Sequence, residues 1–400
     1  MSRIGVYGGS FNPPHCGHVL AAAESVQRLS LDRLLVIPTY LSPHKPQPEG
    51  SPSPALRLEL TRRAFAGLAW AEVSELEILR EGVSYTVDTL RTLKEQFPND
   101  ELVLLMGTDM LLSFPTWREP AQIAGLATLA VMHRQNVSET LRAQCSEMAQ
   151  RIERDFGGRV LFAENRCLEV SSTEVRRMIA FGAADYQTPA AVAGLIAAKG
   201  LYGYGADRTR LPFARLKEVS LRLHDEKRRA HVCGCSETAE QMACRWGADP
   251  VAAARAGILH DVTKALSASA QLALCDLLGV ALTDFERANP KLLHAKTGAA
   301  VAAQVFGESE AVCEAIRWHT TGRASMTLLE KILYLADYME PNRDFAGVER
   351  LRTLAEADLD AALLEGLTMS IEILKRRGQP IDENSMAAWQ YLANERSKTT

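Results

Sequence analysis

Short apolar runs alternate with longer amphipathic stretches through the first half of the chain. The short runs are rich in Val, Ile and Leu and predict buried strands, whereas the longer stretches carry apolar residues at helical spacing. The order predicts an α/β domain with a doubly wound parallel sheet, which binds ligands where strand C-termini meet helix N-termini. The predicted strands are residues 4–7, 34–37, 102–106, 127–132 and 160–162, and the predicted helices are residues 17–29, 54–66, 85–96 and 138–155.

The pattern changes at residues 202–212, where glycine, proline and charged residues interrupt it and predict a linker. From residue 213 to residue 398, strand-like runs give way to Ala, Leu, Glu and Arg at helical spacing. We therefore expect a Rossmann-like domain over residues 1–203, a linker over 204–212 and an all-α domain over 213–400. The second domain should contain roughly seven to nine helices.

Composition limits the function classes. The 400 residues are 47% hydrophobic and 24% charged, which is typical of a globular protein. The net charge of -4 gives no global basic field, so we expect no extended nucleic-acid binding. We also expect no membrane association, because no apolar run approaches roughly 18 residues and no signal peptide precedes the first strand. Scattered cysteines predict a reduced, cytoplasmic protein, and a homo-oligomer stays open as one alternative.

The first candidate site is the string Gly-Gly-Ser-Phe-Asn-Pro-Pro-His-Cys-Gly-His, called here the glycine–histidine segment (residues 8–18). Gly8 and Gly9 let backbone N–H groups approach a ligand that a Cβ atom would block. The predicted helix that follows offers unpaired N–H donors and a partial positive charge, which together bind anions. His15 and His18 add two further donors. The segment therefore predicts a phosphate site.

A second anion-binding pattern lies near the end of the first domain, at residues 170–177. Ser171 or Ser172 followed by Glu174 is typical of residues that cap a helix N-terminus. Arg176 then falls on the first turn, beside the free backbone N–H groups. An ordinary N-cap is the alternative interpretation of this string.

The two strings together resemble the nucleotidylyltransferase superfamily and, within it, the bacterial nicotinate-nucleotide adenylyltransferase family. The resemblance covers residues 1 to about 203. It departs at Arg134-Gln135-Asn136, where the family commonly has Arg-Pro-Gly, and this leaves the shape of the adenine-side loop in question. The supporting strings are Pro43-His44-Lys45, Tyr85-Thr86-Val87-Asp88-Thr89-Leu90, Gly107-Thr108-Asp109 and Phe114-Pro115-Thr116-Trp117.

This resemblance implies transfer of AMP from ATP to nicotinate mononucleotide, with Mg²⁺ accompanying ATP. Such a reaction depends on positioning and charge stabilisation. Core packing is the alternative for Trp117 and a helix N-cap the alternative for Asp109. For ATP, the resemblance implies that His15 and His18 contact the phosphates, that Lys45 and Arg176 neutralise the triphosphate and pyrophosphate, and that Asp109 contacts the ribose. For nicotinate, it implies that Trp117 stacks on the ring and that the backbone of Tyr85 and Thr86 faces the carboxylate. The other residues implied to contact the nucleotide are Gly8, Gly9, Ser10, Phe11, Ser171, Ser172 and Thr173.

The second candidate site combines histidines with two aspartates in apolar helical stretches. Asp261 follows the apolar residues 252–259, and Asp337 follows 332–336. An unpaired carboxylate in such surroundings is costly, so a metal cluster explains both. The histidines that belong to recognisable strings are His231, His260, His294 and His319, whereas His133 and His224 are interpreted as structural.

These strings resemble the HD phosphohydrolase superfamily and, within it, the YqeK family, whose members hydrolyse diadenosine tetraphosphate symmetrically to two ADP. The resemblance runs from about residue 213 to 395. It implies two transition metals, with iron favoured and manganese or zinc as alternatives. One metal is held by His231, His260, Asp261 and Asp337, and the other by Asp261, His294 and His319. Candidate substrate ligands are Arg228, Lys264, Thr320, Thr321, Gly322, Arg323 and Arg343, with Lys264 also in a catalytic role. Solvated surface charge is the alternative for the lysine and the three arginines.

Other functions stay open at this point. The second domain could act on another nucleotide, such as a guanosine alarmone, or could serve as a regulatory nucleotide sensor. The first domain could use pantetheine phosphate or nicotinamide mononucleotide, although the strings at Tyr85 and Trp117 argue against this.

Overall fold

The computed structural model describes residues 1–44, 46–134, 138–165 and 169–399, and leaves the side chains of residues 133, 134 and 399 undescribed. The chain forms two compact units, Met1–Ala206 and Asp207–Thr400, called here the first and second units. The described helices include none that is long and apolar enough to cross a membrane.

The first unit contains a parallel sheet of six strands in the order β3-β2-β1-β4-β5-β6. The chain leaves β1 toward β2 on one side, and β4 lies on the other side. The ends of β1 and β4 therefore border the point where strand order reverses, which is where such sheets bind ligands. The strands are β1 (Arg3–Gly9), β2 (Arg33–Pro38), β3 (Ala71–Val73), β4 (Glu101–Gly107), β5 (Thr128–Arg134) and β6 (Val160–Asn165).

Nine α-helices accompany this sheet within the described residues. They are α1 (Cys16–Arg28), α2 (Pro54–Ala64), α3 (Leu76–Arg80), α4 (Thr86–Gln96), α5 (Thr108–Ser113), α6 (Pro120–Leu126), α7 (Glu139–Phe156), α8 (Ser172–Ala180) and α9 (Ala190–Lys199), and short 3-10 helices cover Phe114–Thr116 and Leu201–Gly203.

Alternate residues of the strands enter two separate cores. Leu34 and Val36 of β2 pack into one core, whereas Leu35 and Ile37 pack into the other. Successive strand side chains point to opposite faces, so both faces of the sheet are apolar and covered. This confirms the predicted doubly wound α/β architecture.

The second unit is helical. Eleven α-helices lie within its described residues, more than the seven to nine expected from the sequence, because turns divide the apolar pattern into short helices such as α14. They are α10 (Phe213–Leu223), α11 (Glu226–Trp246), α12 (Pro250–Leu259), α13 (Ala268–Leu278), α14 (Asp284–Ala288), α15 (Leu293–Gln304), α16 (Glu310–Trp318), α17 (Leu328–Met339), α18 (Val348–Ala357), α19 (Leu359–Arg376) and α20 (Glu383–Thr399), and a 3-10 helix covers Pro290–Leu292.

Close packing of α11 on α12 positions the second site. A Cβ atom added at Gly257 would lie 2.5 Å from the Cα atom of Ser236, so only glycine permits this approach. The Ser236 hydroxyl donates a 2.8 Å hydrogen bond to the carbonyl oxygen of Ala254. Asp249, whose carboxylate accepts from the N–H of Val251 at 2.9 Å, caps the start of α12. This arrangement brings the middle of α11 beside the end of α12.

Candidate active sites

The glycine–histidine segment connects β1 to α1 at the point where strand order reverses. A Cβ atom at Gly8 would meet nothing within 4 Å, so the backbone there borders open space. Phe11 adopts a φ of 45° and is buried against Tyr7 and His18, with ring centroids 5.5 and 5.2 Å away. The buried phenyl ring anchors the segment and leaves the Gly8 backbone accessible.

His15 and His18 lie together at the start of α1, with ring centroids 3.7 Å apart. The backbone N–H of His15 donates to Nδ1 of His18 at 3.1 Å, so the neutral His18 ring carries its proton on Nε2. Burial lowers the pKa of His15 to about 4. Burial also holds the pKa of His18 well below its usual value, and the charge of His15 lowers it further. Both rings are therefore neutral at pH 7.

The start of α8 packs on the same segment. Ser172 donates a 3.0 Å hydrogen bond to the carbonyl oxygen of Pro13, and Arg176 donates one of 2.7 Å to that of Asn12. A second Arg176 nitrogen donates to Thr173 at 3.0 Å, and Ser171 caps the helix by accepting from the N–H of Glu174. The structure thus brings both predicted anion-binding strings together.

Arg57 was not predicted from the sequence as part of this site. Its guanidinium is fully buried and donates 2.8 Å hydrogen bonds to the carbonyl oxygens of Ser10 and Tyr40. It lies among the polar residues of α2, and an arginine in such a sequence is normally expected to be solvent-exposed. Arg57 therefore fixes the loop that follows Gly9.

A cavity of about 540 Å³ is bordered by residues 42–44 in the loop after β2 and by the start of α4, and it contains the predicted nicotinate-binding residues. Tyr85, Thr86 and Trp117 line it, and the indole of Trp117 lies 5.1 Å from the ring of His44. Arg118, which the sequence did not single out, places its guanidinium carbon 4.6 Å above the Tyr85 ring. The cavity thus offers aromatic faces, one cation and the N-terminus of α4.

Two other predictions concern the edge of this region. Asp109 is exposed in the first turn of α5, directly after β4. Lys45 and residues 135–136 of the Arg134-Gln135-Asn136 string lie outside the described residues, as does the side chain of Arg134.

The six predicted ligands of the second site converge, and are called here the histidine–aspartate cluster. His231 lies in α11, His260 and Asp261 directly follow α12, and Asp337 lies in α17. His294 lies in the first turn of α15, and His319 follows α16. Five of the six are buried, and the Asp337 side chain is 21% exposed. Ligands from five separate helices therefore meet at one place.

Backbone contacts orient three of these imidazoles. The Nδ1 atoms of His260, His294 and His319 lie 2.7, 2.7 and 2.6 Å from the carbonyl oxygens of Gly257, Lys291 and Ile316. A carbonyl oxygen only accepts, so each Nδ1 carries a proton, and Nε2 of each ring in its neutral form has a free electron pair. Their Nε2 atoms face the aspartates. This tautomer leaves the nitrogen on that side free to bind a metal.

Asp261 faces two groups of ligands with its two oxygens. Oδ2 lies 3.7 Å from Nε2 of His231 and 3.6 Å from Nε2 of His260. Oδ1 lies 3.5 Å from Nε2 of His294 and 3.8 Å from Nε2 of His319. Asp337 Oδ1 lies 3.1 Å from Nε2 of His231. The Asp261 carboxylate is therefore placed to bridge two adjacent metal positions.

The donor set fits divalent metal ions. Ligand atoms of His231, His260 and Asp337 lie within 4.8 Å of one another, and so do those of His260, Asp261 and His319. Within the described part of the chain, Nε2 of His231 and Nε2 of His260 are buried and make no hydrogen bond. Buried nitrogens without such partners, facing carboxylates, suit imidazole and carboxylate coordination.

Cationic side chains border the cluster. Arg228 lies 2.7 Å from Asp261 Oδ2, Arg343 lies 2.6 Å from Asp337 Oδ1, and Lys264 Nζ lies 2.8 Å from His294 Nε2. Burial lowers the pKa of Lys264, and the charges of Asp261 and Asp337 oppose that shift. Burial likewise lowers the pKa of His319 to about 4. The cluster thus places a neutral imidazole, that of His319, beside bordering positive charge.

The remaining predicted substrate ligands lie in the turn after α16. The Thr320 hydroxyl lies 3.2 Å from His294 Nε2, Thr321 donates to the Gly322 carbonyl oxygen at 3.0 Å, and Gly322 has a φ of 67°. Arg323 instead pairs with buried Glu330 at 2.8 Å. Its proposed contact with phosphate therefore lacks support from the geometry.

A cavity of about 670 Å³ opens from the histidine–aspartate cluster. Its lining includes the polar residues Lys264, Thr320 and Arg343 and also aromatic side chains such as Tyr338 and Phe345. The cavity can therefore receive a ligand with both an anionic and an aromatic part.

Both halves of the sequence are similar to known proteins. Residues 6–178 match the cytidylyltransferase-like family, and residues 228–342 match the HD domain family. In the N-terminal half, the chain is 36% identical to a probable nicotinate-nucleotide adenylyltransferase from Marinobacter nauticus over 208 residues, 50% of this chain and 95% of that protein. In the HD part, it is 41% identical to a symmetrical bis(5'-nucleosyl)-tetraphosphatase from Halalkalibacterium halodurans and 38% identical to one from Bacillus subtilis. Each of these two alignments covers 42% of this chain, with 89% and 91% of the respective proteins.

Proposed function

Because the chain joins a member of the nicotinate-nucleotide adenylyltransferase family to a member of the HD-domain symmetrical bis(5'-nucleosyl)-tetraphosphatase family, we propose that it has two enzyme activities, one in each unit. The first unit transfers AMP from ATP to nicotinate mononucleotide, which gives nicotinate adenine dinucleotide. The second unit hydrolyses diadenosine tetraphosphate to two ADP. A cytoplasmic location stays a prediction.

The observation that carries the first activity is the meeting of both anion-binding strings at the Asn12–Pro13 turn. The phosphate of nicotinate mononucleotide attacks the α-phosphorus of ATP in line, a new P–O bond forms, and pyrophosphate leaves. His18 donates its Nε2–H to a phosphate oxygen, and His15 and Arg176 stabilise the developing charge. Mg²⁺ accompanies ATP as part of the substrate.

Acceptor choice depends on the cavity that Tyr85, Thr86 and Trp117 line. Trp117 offers a flat apolar face to the pyridine ring. The carboxylate of nicotinate faces the N–H groups at the start of α4, where Tyr85 precedes Thr86, and Arg118 adds a positive charge. Nicotinamide lacks this negative charge, so the acid should be preferred over the amide.

The first proposal can be tested with full-length protein, ATP and three acceptors: nicotinate mononucleotide, nicotinamide mononucleotide and pantetheine phosphate. We expect nicotinate adenine dinucleotide as the main product, and His18→Ala should reduce its formation by about 100-fold or more, as expected for loss of a transition-state donor. Equal use of all three acceptors would overturn the proposed substrate.

The observation that carries the second activity is the placement of Asp261 between two sets of histidines. Two divalent metal ions in the histidine–aspartate cluster supply Lewis-acid polarisation of phosphate oxygens and a hydroxide nucleophile at neutral pH. His231, His260, Asp261 and Asp337 would hold one of them, and Asp261, His294 and His319 would hold the other. Iron is the favoured metal, with manganese or zinc as alternatives.

The residues around the cluster orient the substrate. Arg228, Lys264 and Arg343 provide positive charge for the central phosphates once they release their carboxylate and imidazole partners. The aromatic wall that contains Tyr338 suits an adenine base. Attack by water oxygen at one of the two central phosphorus atoms breaks its bond to the oxygen that bridges it to the other central phosphorus, and that oxygen leaves as the terminal phosphate oxygen of one ADP while the attacked phosphorus ends the second ADP.

The second proposal requires metal analysis of anaerobically purified full-length protein, followed by product analysis with diadenosine tetraphosphate. We expect about two metal ions per chain and ADP as the sole nucleotide product. A guanosine alarmone as the better substrate would favour the alternative hydrolase function. Tight binding of nucleotide without turnover by the metal-loaded protein would favour a regulatory sensor.

A further inference from the structure

We propose that Glu340 is a positioning residue for the metal centre of the second unit, and that it acts through His231. The inference rests on the proposed metal site. The carboxylate oxygen Oε1 of Glu340 lies 3.1 Å from Nδ1 of His231, on the side of the ring that faces away from the cluster. The Glu340 side chain is 1% exposed, so water competes little for this contact.

This contact differs from those of the other imidazoles in the cluster. His260, His294 and His319 each place Nδ1 against a backbone carbonyl oxygen, whereas His231 places Nδ1 against a carboxylate. A full negative charge pulls the Nδ1 proton more strongly than a carbonyl dipole does. It therefore increases electron donation from Nε2 and fixes the orientation of the ring.

The tautomer selected by Glu340 also favours a cation in the cluster. When Nδ1–H donates to the carboxylate, Nε2 of His231 carries a free electron pair. That atom lies 3.1 Å from Asp337 Oδ1, a second acceptor. Two acceptors at this distance repel each other unless a cation lies between them, so Glu340 prepares His231 for metal rather than for a hydrogen bond to Asp337.

Neighbouring residues hold the carboxylate in this position. Its second oxygen, Oε2, accepts two hydrogen bonds of 2.7 Å from Asn342, one from the backbone N–H and one from the side-chain amide. The Asn342 amide also donates to the Ala230 carbonyl oxygen at 3.2 Å, next to His231. A Cβ atom at Gly234 would lie 2.3 Å from Oε2, so the glycine one turn beyond His231 makes room for the carboxylate.

The test measures metal affinity of full-length protein by titrating metal-free enzyme with Zn²⁺ against a chromophoric chelator. We expect Glu340→Ala to weaken one of the two affinities by about 10- to 100-fold and to leave the other close to wild type. Glu340→Gln keeps a neutral acceptor and should weaken the same affinity less. Gly234→Ala displaces the carboxylate without removing it and should act in the same direction.

Glu330→Gln is the matched control, because Glu330 lies in α17, the helix that Glu340 directly follows, is equally buried and pairs with Arg323 away from His231. It should leave both Zn²⁺ affinities unchanged. Wild-type affinities in folded Glu340→Ala and Gly234→Ala would overturn the positioning role, and so would an equal loss of affinity in Glu330→Gln. If the wild-type chain itself bound no Zn²⁺, the proposed metal centre would fail first and the role of Glu340 with it.

Discussion

The Nη1 atom of Arg57 donates a 2.8 Å hydrogen bond to the carbonyl oxygen of Ser10, and this contact ties helix α2 to the loop of the first site. The Arg57 hydrogen bonds to Ser10 and to Tyr40 both go to neutral carbonyl oxygens. Its charge therefore contributes a positive potential beneath a loop that is proposed to bind phosphates.

Arg57→Met should weaken ATP binding and lower stability. Loss of the guanidinium leaves the Ser10 carbonyl oxygen unsatisfied, at a cost of about 1–3 kcal/mol, and leaves the Tyr40 carbonyl oxygen with the Gln47 side-chain amide at 3.3 Å as its donor. We expect a KM for ATP raised by at least about tenfold and a lower melting temperature of the first unit. Arg63→Met is the control, because Arg63 forms an exposed pair with Glu59 in the same helix. Identical behaviour of the two variants would contradict the role assigned to Arg57.

His15 should make the first unit sensitive to acid. Its pKa is lowered by burial from 6.5 to about 4, so the unfolded chain binds more protons than the folded chain between these two values. Stability therefore falls as pH falls from 6.5 to 4, by up to roughly 3 kcal/mol from this one group. The unfolding transition of the first unit can be identified as the one that ATP shifts. Its melting temperature should fall less steeply with decreasing pH in His15→Asn than in the wild type. Parallel pH profiles for the two proteins would disprove the assignment.

Arg118 should contribute to the choice between acid and amide acceptors. Replacement by Gln keeps part of the side-chain packing on Tyr85 but removes the charge that faces the proposed nicotinate carboxylate. We expect Arg118→Gln to raise the KM for nicotinate mononucleotide by about tenfold, which corresponds to about 1.4 kcal/mol, and to leave the KM for nicotinamide mononucleotide unchanged. An equal change for both acceptors would mean that Arg118 acts only on the shape of the cavity.

Gly257→Ala should destabilise the second unit, because the new Cβ atom would lie 2.5 Å from the Cα atom of Ser236. Forcing α11 and α12 apart costs about 1–3 kcal/mol and moves His231 away from His260. Gly366→Ala is the control, since its Cβ atom would meet only ordinary contacts at 3.7 Å or more. Chemical unfolding monitored by circular dichroism would compare the free energies of unfolding of the two variants. Equal values would argue that the close packing of α11 on α12 does not assemble the site.

The general architecture of the first unit was predictable because its central strands are apolar on both faces. Strand β3 (Ala71–Val73) was missed, since three residues with a central glutamate show no strand pattern. Helices α3, α5 and α6 were missed for a related reason. They contain 5, 6 and 7 residues, and one or two turns are too short to display helical periodicity.

The residues of the second site were predictable as a set because histidines and aspartates are unusual in apolar helices. Arg57 and Glu340 were not, because the letters of a sequence do not distinguish a buried charge from a solvated one. Both became visible only when the packing showed which backbone or imidazole each charge contacts. The structure pairs Arg323 with buried Glu330, and its role as a phosphate ligand stays a prediction.

The most direct test of the two-site account is Asp261→Asn in the full-length chain, with metal content and both activities measured on the same preparation. The amide removes the charge shared by the two histidine sets. We therefore expect metal content to fall well below that of the wild type, diadenosine tetraphosphate hydrolysis to fall by about 1,000-fold or more, and nicotinate adenine dinucleotide synthesis to stay at the wild-type rate. Undiminished hydrolysis with full metal content would contradict the bridging position of Asp261 and, with it, the proposed second active site.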